Sequence, residues 1–438
     1  MIVGAGLGGL MMALLLEKAN IPYTVFERAL EVKPLGALMS LSVNILPVFE
    51  QLGLIDELHK LSYPISNMEF FSQNMKKIGA FQVGTKDLPE LCDLMLAQVP
   101  ADKIQFGKKV LSLQQNENGA MLRFADGSTH HGDIIIGADG AYSGVRQSLY
   151  KELSVKGELP KADLEGLSLN YLCMLGTSDP MDPVQYPKLK DHSSHLTQIM
   201  GDGTSYSWTV ITVPGNRMCW SVVQQLPDTA VAKDFMFRNS EWGPEAIEET
   251  ISDIQDLPNG MGGTMADLIN ATPRERISKV MLEEKLFETW QHGRTAIIGD
   301  ACHKMLPSAG QGAVNAMQDA VILANCLYDL ESLEPEAISA ALKDYQEQRY
   351  EHAKFQFEIS RNNGKIMSGQ SWLDKFIRYV VFNYLPKSIQ TRKLIERSLY
   401  RPQIAFLPQA KTRGTCPVLD QKPSKRYLKE QQAGKVIS

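Results

Sequence analysis

A chain of 438 residues with 44% apolar and 22% charged side chains can bury a substantial core in two or three lobes, which excludes a disordered or fibrous protein. Its net charge of −5 argues against a nucleic-acid surface, although the stretch from Lys422 to Lys435 is locally basic through Lys425, Arg426 and Lys429. The six cysteines (Cys92, Cys173, Cys219, Cys302, Cys326, Cys416) form no CxxC pair and no ligand spacing, so they read as reduced thiols and no metal site is expected.

The chain opens on an apolar strand, Ile2-Val3, followed by Gly4-Ala-Gly-Leu-Gly-Gly9 and a helical pattern through Leu10, Ala13, Leu14 and Leu16. A glycine turn that opens a helix leaves several N–H groups without intrahelical partners. Those donors and the positive helix end suit a pyrophosphate, and glycine lets it approach closely. The second strand, Tyr23 to Phe26, ends in Glu27, whose carboxylate can accept from ribose hydroxyls and would repel a 2′-phosphate, so NADP fits this first site poorly. Because the chain opens on such a strand, no secretory signal is expected.

Asn44 to Leu52 is expected to be helical, Asn67–Phe71 and Ile78–Phe81 strands, and Pro89–Gln98 helical. Asp126-Gly127 predicts a hairpin turn between Ala120–Phe124 and His131–Ile136. His130 and His131, adjacent on a strand, point to opposite faces and are expected in solvent rather than on a metal. The run from Asp133 to Gly140 ends an apolar strand in Gly-Ala-Asp-Gly, and Ser143-Gly-Val-Arg146 starts a helix. Residues 160–290 are rich in strand patterns, such as Ser205–Thr212 and Met218–Gln224, while Trp208, Trp220, Trp242 and Trp290 read as core or pocket wall. A third strand, Arg294 to Ile298, reaches Gly299-Asp300. After a break at Pro307, Gly310-Gln-Gly312 opens a long helix through Ala316, Ala320, Leu323, Ala324 and Leu327. A carboxylate at a strand end can bind ribityl hydroxyls, and a helix N-terminus stabilises negative charge on a reduced flavin ring, so the three segments together describe a cradle for FAD. From Trp372 to Leu385, apolar residues are interrupted by Lys375 and Arg378. This helix could lie on a membrane or partner surface, or pack on the body of the protein. With no run of 18 apolar residues in the chain, the expected localisation is cytoplasmic or at a peripheral membrane face.

The order GxGxxG with an acidic strand end, then GADG, then GDAxHxxxPxxGQG, resembles the FAD-dependent aromatic hydroxylase-like monooxygenases of the para-hydroxybenzoate hydroxylase superfamily. Within that superfamily the chain looks most like fungal FAD-dependent monooxygenases and epoxidases. The resemblance runs from residue 1 to about residue 410. It implies an α/β (α+β) fold: a Rossmann-like, three-layer FAD-binding domain (1–160 and 291–365, with strands at 66–83 on the substrate side), a β-rich substrate-covering domain (161–290), and C-terminal helices with a basic tail (366–438). It implies that Gly4, Ala5, Gly6, Gly9, Glu27 and Arg28 hold the ADP half of FAD. Asp139 and Gly140 would lie near the pyrophosphate, Gly299 and Asp300 at the ribityl or phosphate region, and Pro307, Gly310, Gln311, Gly312 and Ala313 along the isoalloxazine. His303 would be structural and Cys302 packing. No catalytic side chain is implied, because the flavin carries the chemistry: NADH or NADPH docks transiently and reduces it, O₂ adds at C4a, and the hydroperoxide oxidises an aromatic or isoprenoid small molecule.

Two departures leave alternatives open. The first strand is short. Relatives also carry an FAD-contacting arginine just before the Pro-Glu-Leu helix start, where this chain has Leu88 in a shortened 81–93 segment, and Lys86 cannot reproduce a bidentate guanidinium. Weaker FAD retention is therefore expected. A catalytically impaired nucleotide-binding relative, or a flavin oxidase or dehydrogenase, stands as the alternative.

Overall fold

The computed structural model describes residues 1–31, 40–87, 90–201, 204–226, 244–368, 371–411 and 413–434. A six-stranded sheet forms its nucleotide-binding side, in the order Gln291–His292, Thr295–Ile297, Ile135–Gly137, Ile2–Val3, Val25–Phe26 and Ile104–Gln105. All neighbours are parallel except the antiparallel edge pair at 291–297. These strands are short and apolar because helices cover the sheet, which leaves no polar face to alternate with. Ile2, Val25, Ile135, Ile136, Ala296 and Ile297 are all buried. The two-residue first strand sits at the centre, pairing Ile2 with both Ile136 and Val25, so its shortness is compensated by neighbours on both sides.

The apolar run expected to continue from His131 to Ile136 divides between two sheets. Thr129–Gly132 closes the Asp126-Gly127 hairpin in a three-stranded sheet with Gly119–Phe124 and Val110–Asn116, whereas Ile135–Gly137 joins the six-stranded sheet. His131 is exposed, but His130 differs from expectation: it is half-buried with its ring 4.9 Å from that of Phe26.

A nine-stranded sheet forms the other side. Its order is His303–Lys304, Ser278–Leu286, Ser168–Thr177, Arg217–Gln225, Tyr206–Val213, Ser194–Met200, Tyr63–Ser72, Lys77–Asp87 and Ser40–Leu41. The single parallel pairing, Ser194–Met200 with Tyr63–Ser72, brings an early segment beside a much later one. Trp208 and Trp220 are buried in a second core behind this sheet and Trp290 in the first, while Trp242 lies outside the described residues. Because His303–Lys304 pairs with Ser278–Leu286, the sheet ends beside the Gly299-Asp300 turn.

The helix Pro335–Ser368 runs under both sheets, and the C-terminal helices Trp372–Tyr384 and Lys387–Ser398 follow it. His352 on the long helix stacks on Tyr400 at 3.7 Å between ring centroids. Burial, helped by the nearby Arg349 cation, lowers the His352 pKa from 6.5 to about 4. The folded protein therefore keeps this imidazole neutral, while an unfolded chain would protonate it below pH 6.5, so its contribution is complete above 6.5 and is lost as pH falls toward 4. Discounting for partial exposure, we expect about 1–2 kcal/mol less stability at pH 5 than at pH 7 in urea unfolding, with much of the difference absent in His352→Phe.

Candidate active site

The strand Ile2–Val3 delivers the chain into Gly4, whose φ of 102° only glycine adopts freely. A Cβ on Gly4 would lie 2.4 Å from the Ala138 carbonyl oxygen, and one on Gly9 would lie 2.0 Å from that of Gly4. These two glycines therefore permit backbone contact within the turn and between the first and second loops. Gly6 differs: a Cβ there would meet nothing within 4 Å, and Gly6 caps the helix Leu7–Lys18 without any side-chain cap. The Glu27 carboxylate accepts from the Ala5 N–H (2.8 Å) and the Ala29 N–H (2.8 Å), which fixes the turn and leaves each oxygen a second acceptor position. Arg28 is exposed beside it.

At the second loop, Gly140 (φ 80°) opens the turn and the Asp139 carboxylate points into the helix start. It accepts from Ser143 Oγ (2.5 Å), Gly144 N–H (2.7 Å) and Val145 N–H (3.2 Å), while burial holds its carboxyl above the usual range. Asp139 is thus a helix cap first. Arg146, which no sequence pattern singled out, is buried and donates to Ala301 O (2.8 Å) and Ala141 O (2.6 Å), tying the second loop to the third.

The third loop begins at Gly299 (φ 65°), where a Cβ would lie 2.9 Å from Ala316 Cβ. Gly8 faces the same Ala316 side chain at 3.4 Å, so the N-terminal turns of helices Leu7–Lys18 and Gly312–Tyr328 meet there. Asp300, half-buried, pairs with Lys304 at 2.6 Å. Pro307–Ala309 forms a single 3₁₀ turn, Gly310 takes φ 61°, and buried Gln311 caps the second helix with its backbone alone. Gly312, like Gly6, has open space at its Cβ position, and Ala313 is half-buried beside it. Glu283, buried on the adjoining strand and held above the ordinary carboxylate range by burial, accepts from Tyr142 Oη at 2.5 Å.

Behind these loops lies a network of wholly buried groups. Asp319 Oδ2 accepts from Gly299 N–H (2.9 Å) and lies 2.6 Å from His303 Nε2, while Asp319 Oδ1 accepts from Arg349 Nε (2.8 Å). Arg349 also donates to Asn315 Oδ1 at 2.9 Å. Burial alone would raise the Asp319 carboxyl, but His303, Arg349 and the Gly299 N–H carry it below the usual range. Cys302, His303 and Asp319 lie close enough to hold an ion. The guanidinium already on Asp319 and the burial-raised Cys302 thiol both oppose a cation there. His303 is thus bonded within the network, and Cys302 is buried with its thiol directed to Gly299 O at 3.3 Å.

The structure brings the three predicted loops together through Gly4–Ala138, Arg146–Ala301 and Gly8–Ala316–Gly299. Two helix starts, at Gly6 and Gly312, offer N–H donors and the acidic strand end at Glu27 offers an acceptor, a combination that fits FAD. Leu88, which the resemblance sets in the place of an arginine, lies outside the described residues.

Residues 1–358 match the family described as FAD binding domain. The chain is also 30% identical over 383 residues to the FAD-dependent monooxygenase paxM of Penicillium paxilli, covering 82% of this chain and 77% of that protein. It belongs to the FAD-dependent monooxygenases. The FAD-dependent monooxygenase ausM of Emericella nidulans is 27% identical over 94% of this chain and 88% of its own length. Among solved structures, Klebsiella pneumoniae HpxO, complexed with FAD and uric acid, superposes with a TM-score of 0.73 at 22% identity, covering 92% of this monooxygenase and 97% of that chain. The 2,6-dihydroxypyridine-3-hydroxylase of Arthrobacter nicotinovorans follows with a TM-score of 0.69 at 17% identity, covering 94% and 98%. Both likenesses establish the fold.

Asp319→Asn strands the Arg349 cation in the interior, and its unfolding free energy in urea should fall by about 3–5 kcal/mol, whereas an apolar pair at both positions should cost less. Gly6→Ala should leave stability nearly unchanged while weakening FAD binding about tenfold or more in a flavin fluorescence titration, because its methyl group enters space that the pyrophosphate would use.

Proposed function

We propose that this monooxygenase uses NADH or NADPH and O₂ to hydroxylate or epoxidise an aromatic or isoprenoid small molecule. The observation that carries the reading is the meeting of two uncapped helix starts, at Gly6 and Gly312, beside the end of the nine-stranded sheet. One start suits the pyrophosphate and the other suits negative charge on the flavin ring. FAD, when bound, supplies the reducing equivalents taken from the nicotinamide and the activation of O₂ for insertion of one oxygen atom.

The chain's own residues bind, orient and enclose. Glu27 would accept the adenosine ribose hydroxyls on the acceptor positions left by Ala5 and Ala29. Asp300, neutralised by Lys304, would take a ribityl hydroxyl without a bare negative charge facing the phosphates. The N–H groups of Gly312 and Ala313 would stabilise negative charge at the ring without moving, since the Asp319 network holds that helix start in place. The β-rich segment 161–290, together with the strands at 63–87, would cover the substrate and exclude water, with 1–160 and 291–365 as the FAD-binding domain and 366–438 as the C-terminal unit. The uric acid held by HpxO is a flat heterocyclic ring, which supports an aromatic substrate.

The shortened segment before Pro89, with Leu88 in the arginine's place, favours a second reading in which FAD is held weakly or turnover is lost. The two separate on one preparation. Visible flavin bands that survive desalting, substrate-stimulated NAD(P)H consumption and incorporation of isotopically labelled O₂ into product are expected for the monooxygenase. Retained flavin with neither substrate-stimulated NAD(P)H consumption nor oxygen in the product would point to an oxidase or dehydrogenase. No flavin bands even after FAD addition would establish the impaired relative.

A further inference from the structure

The helix Trp372–Tyr384 has two faces of opposite character. It starts at Ser371, whose hydroxyl accepts from the Asp374 N–H (3.1 Å) while the Asp374 carboxylate returns to the Ser371 N–H, a reciprocal cap that fixes its N-terminus. On the inner face, buried Arg378 donates to Ile366 O at 2.7 Å, and the Phe382 ring packs 4.8 Å from that of Phe70. Phe382 also lies where a Cβ on Gly79 would come within 2.9 Å, so the helix is seated on the strands Tyr63–Ser72 and Lys77–Asp87. Residues 378 and 382 are four apart and share one side. Trp372, Phe376, Tyr379 and Val380 fall on the other at helical spacing, with Leu373 and Ile377 flanking them. That outer face carries a single charge at its border, Lys375, and its apolar side chains are open: Trp372 is 78% exposed, Phe376 58% and Tyr384 66%.

An apolar face of this size on a helix already anchored behind is expected to be covered in use. We infer that it docks the protein onto the surface of an anionic phospholipid bilayer. At 13 residues the helix is roughly 20 Å long, too short to cross a hydrocarbon core of about 30 Å, and among the described residues no helix is long and apolar enough to do so. It therefore lies in the interface, where Trp and Tyr rings are favoured. Charge selects the surface. Residues 372–398 contain six Lys or Arg against two Asp or Glu, in a chain whose net charge is −5. The adjoining helix Lys387–Ser398 exposes Ile389 and Leu394 together with Arg392 and Lys393. A second copy of the chain is a poorer occupant, because a two-fold contact through this face would bring two such basic stretches together. The docking surface rests on the exposed face itself and not on the chemistry proposed for the flavin site. It does place the bilayer next to the sheet proposed to cover the substrate. Arg397, on the second of these helices, donates to Ala309 O (3.0 Å) in the loop before Gly310.

The test is flotation of the FAD-supplemented full chain with vesicles of phosphatidylcholine alone and with about 30% phosphatidylserine. We expect co-flotation with the anionic vesicles, a blue shift of tryptophan emission on mixing, and at least about tenfold weaker partitioning for the variant carrying Trp372→Ser, Phe376→Ser and Tyr379→Ser. Reversing charge with Arg392→Glu and Lys393→Glu should remove the preference for phosphatidylserine. These substitutions are exposed, so circular dichroism and FAD titration should match the parent, which separates loss of docking from loss of fold or of the flavin site. Three results overturn the inference: no flotation with either vesicle, flotation that the triple variant retains, or a dimer in analytical ultracentrifugation that the triple variant abolishes.

Discussion

The Asp319 carboxylate has no access to water, and its bonds join three parts of the chain that are far apart in sequence: the turn Gly299–His303, its own helix Gly312–Tyr328, and the long helix Pro335–Ser368 through Arg349. Burying an ion costs several kcal/mol, so the pair persists only where its geometry is close and most of its polar atoms are bonded; here Asp319 is held by three partners, while Arg349 Nη1 and His303 Nδ1 stay unbonded. Each partner then depends on the others' positions. The Gly299 turn can approach Ala316 because glycine has no Cβ to strike it, and it must approach because its N–H is bonded to a carboxylate one turn further along the same helix. The two helix starts that define the candidate flavin site inherit their spacing from this arrangement.

The remaining loops are tied in by guanidinium groups as well as by apolar packing of Ala138, Ala301 and Cys302. Arg146 links the second loop to the third, and Arg397 reaches from a C-terminal helix to the carbonyl of Ala309. A planar group with several donors suits loop carbonyls, which have no regular ladder to satisfy them. The side on which substrate is proposed to bind and the side on which FAD is proposed to bind are joined where the strand His303–Lys304 leaves the Asp300 turn to pair with Ser278–Leu286, and again where Tyr142 donates to Glu283.

Much of this was legible in the sequence because close backbone approach admits only one residue type. Gly4 and Gly9 were visible for that reason, whereas the helix start at Gly312, with open space at its Cβ position, was legible from the glycine turn that precedes a helical pattern. The Asp126-Gly127 turn was equally plain. The Asp319–Arg349 pair was not, since 30 positions separate two residues that each read as an ordinary charged side chain of a helix. Nor did the sequence reveal that Glu27 and Asp139 spend acceptor positions on their own loops, because a carboxylate after a strand looks the same whether it faces a ligand or a backbone N–H. The run from His131 to Ile136 misled for a related reason: apolar strand character says that a segment is buried, not which sheet buries it. The pairing of residues 63–72 with 194–200 has no local signal at all.

That pairing governs how the chain must be assembled. The nine-stranded sheet recruits segments spread from Ser40 to Lys304, so during synthesis its early strands leave the ribosome long before their neighbours exist. Non-local strand pairs close late because the loop between them must first lose its freedom. Until then, the hairpin Tyr63–Asp87 carries an unpaired edge, the kind of surface on which growing chains associate. The yield of folded protein in a cell should therefore depend on how that edge is shielded during translation.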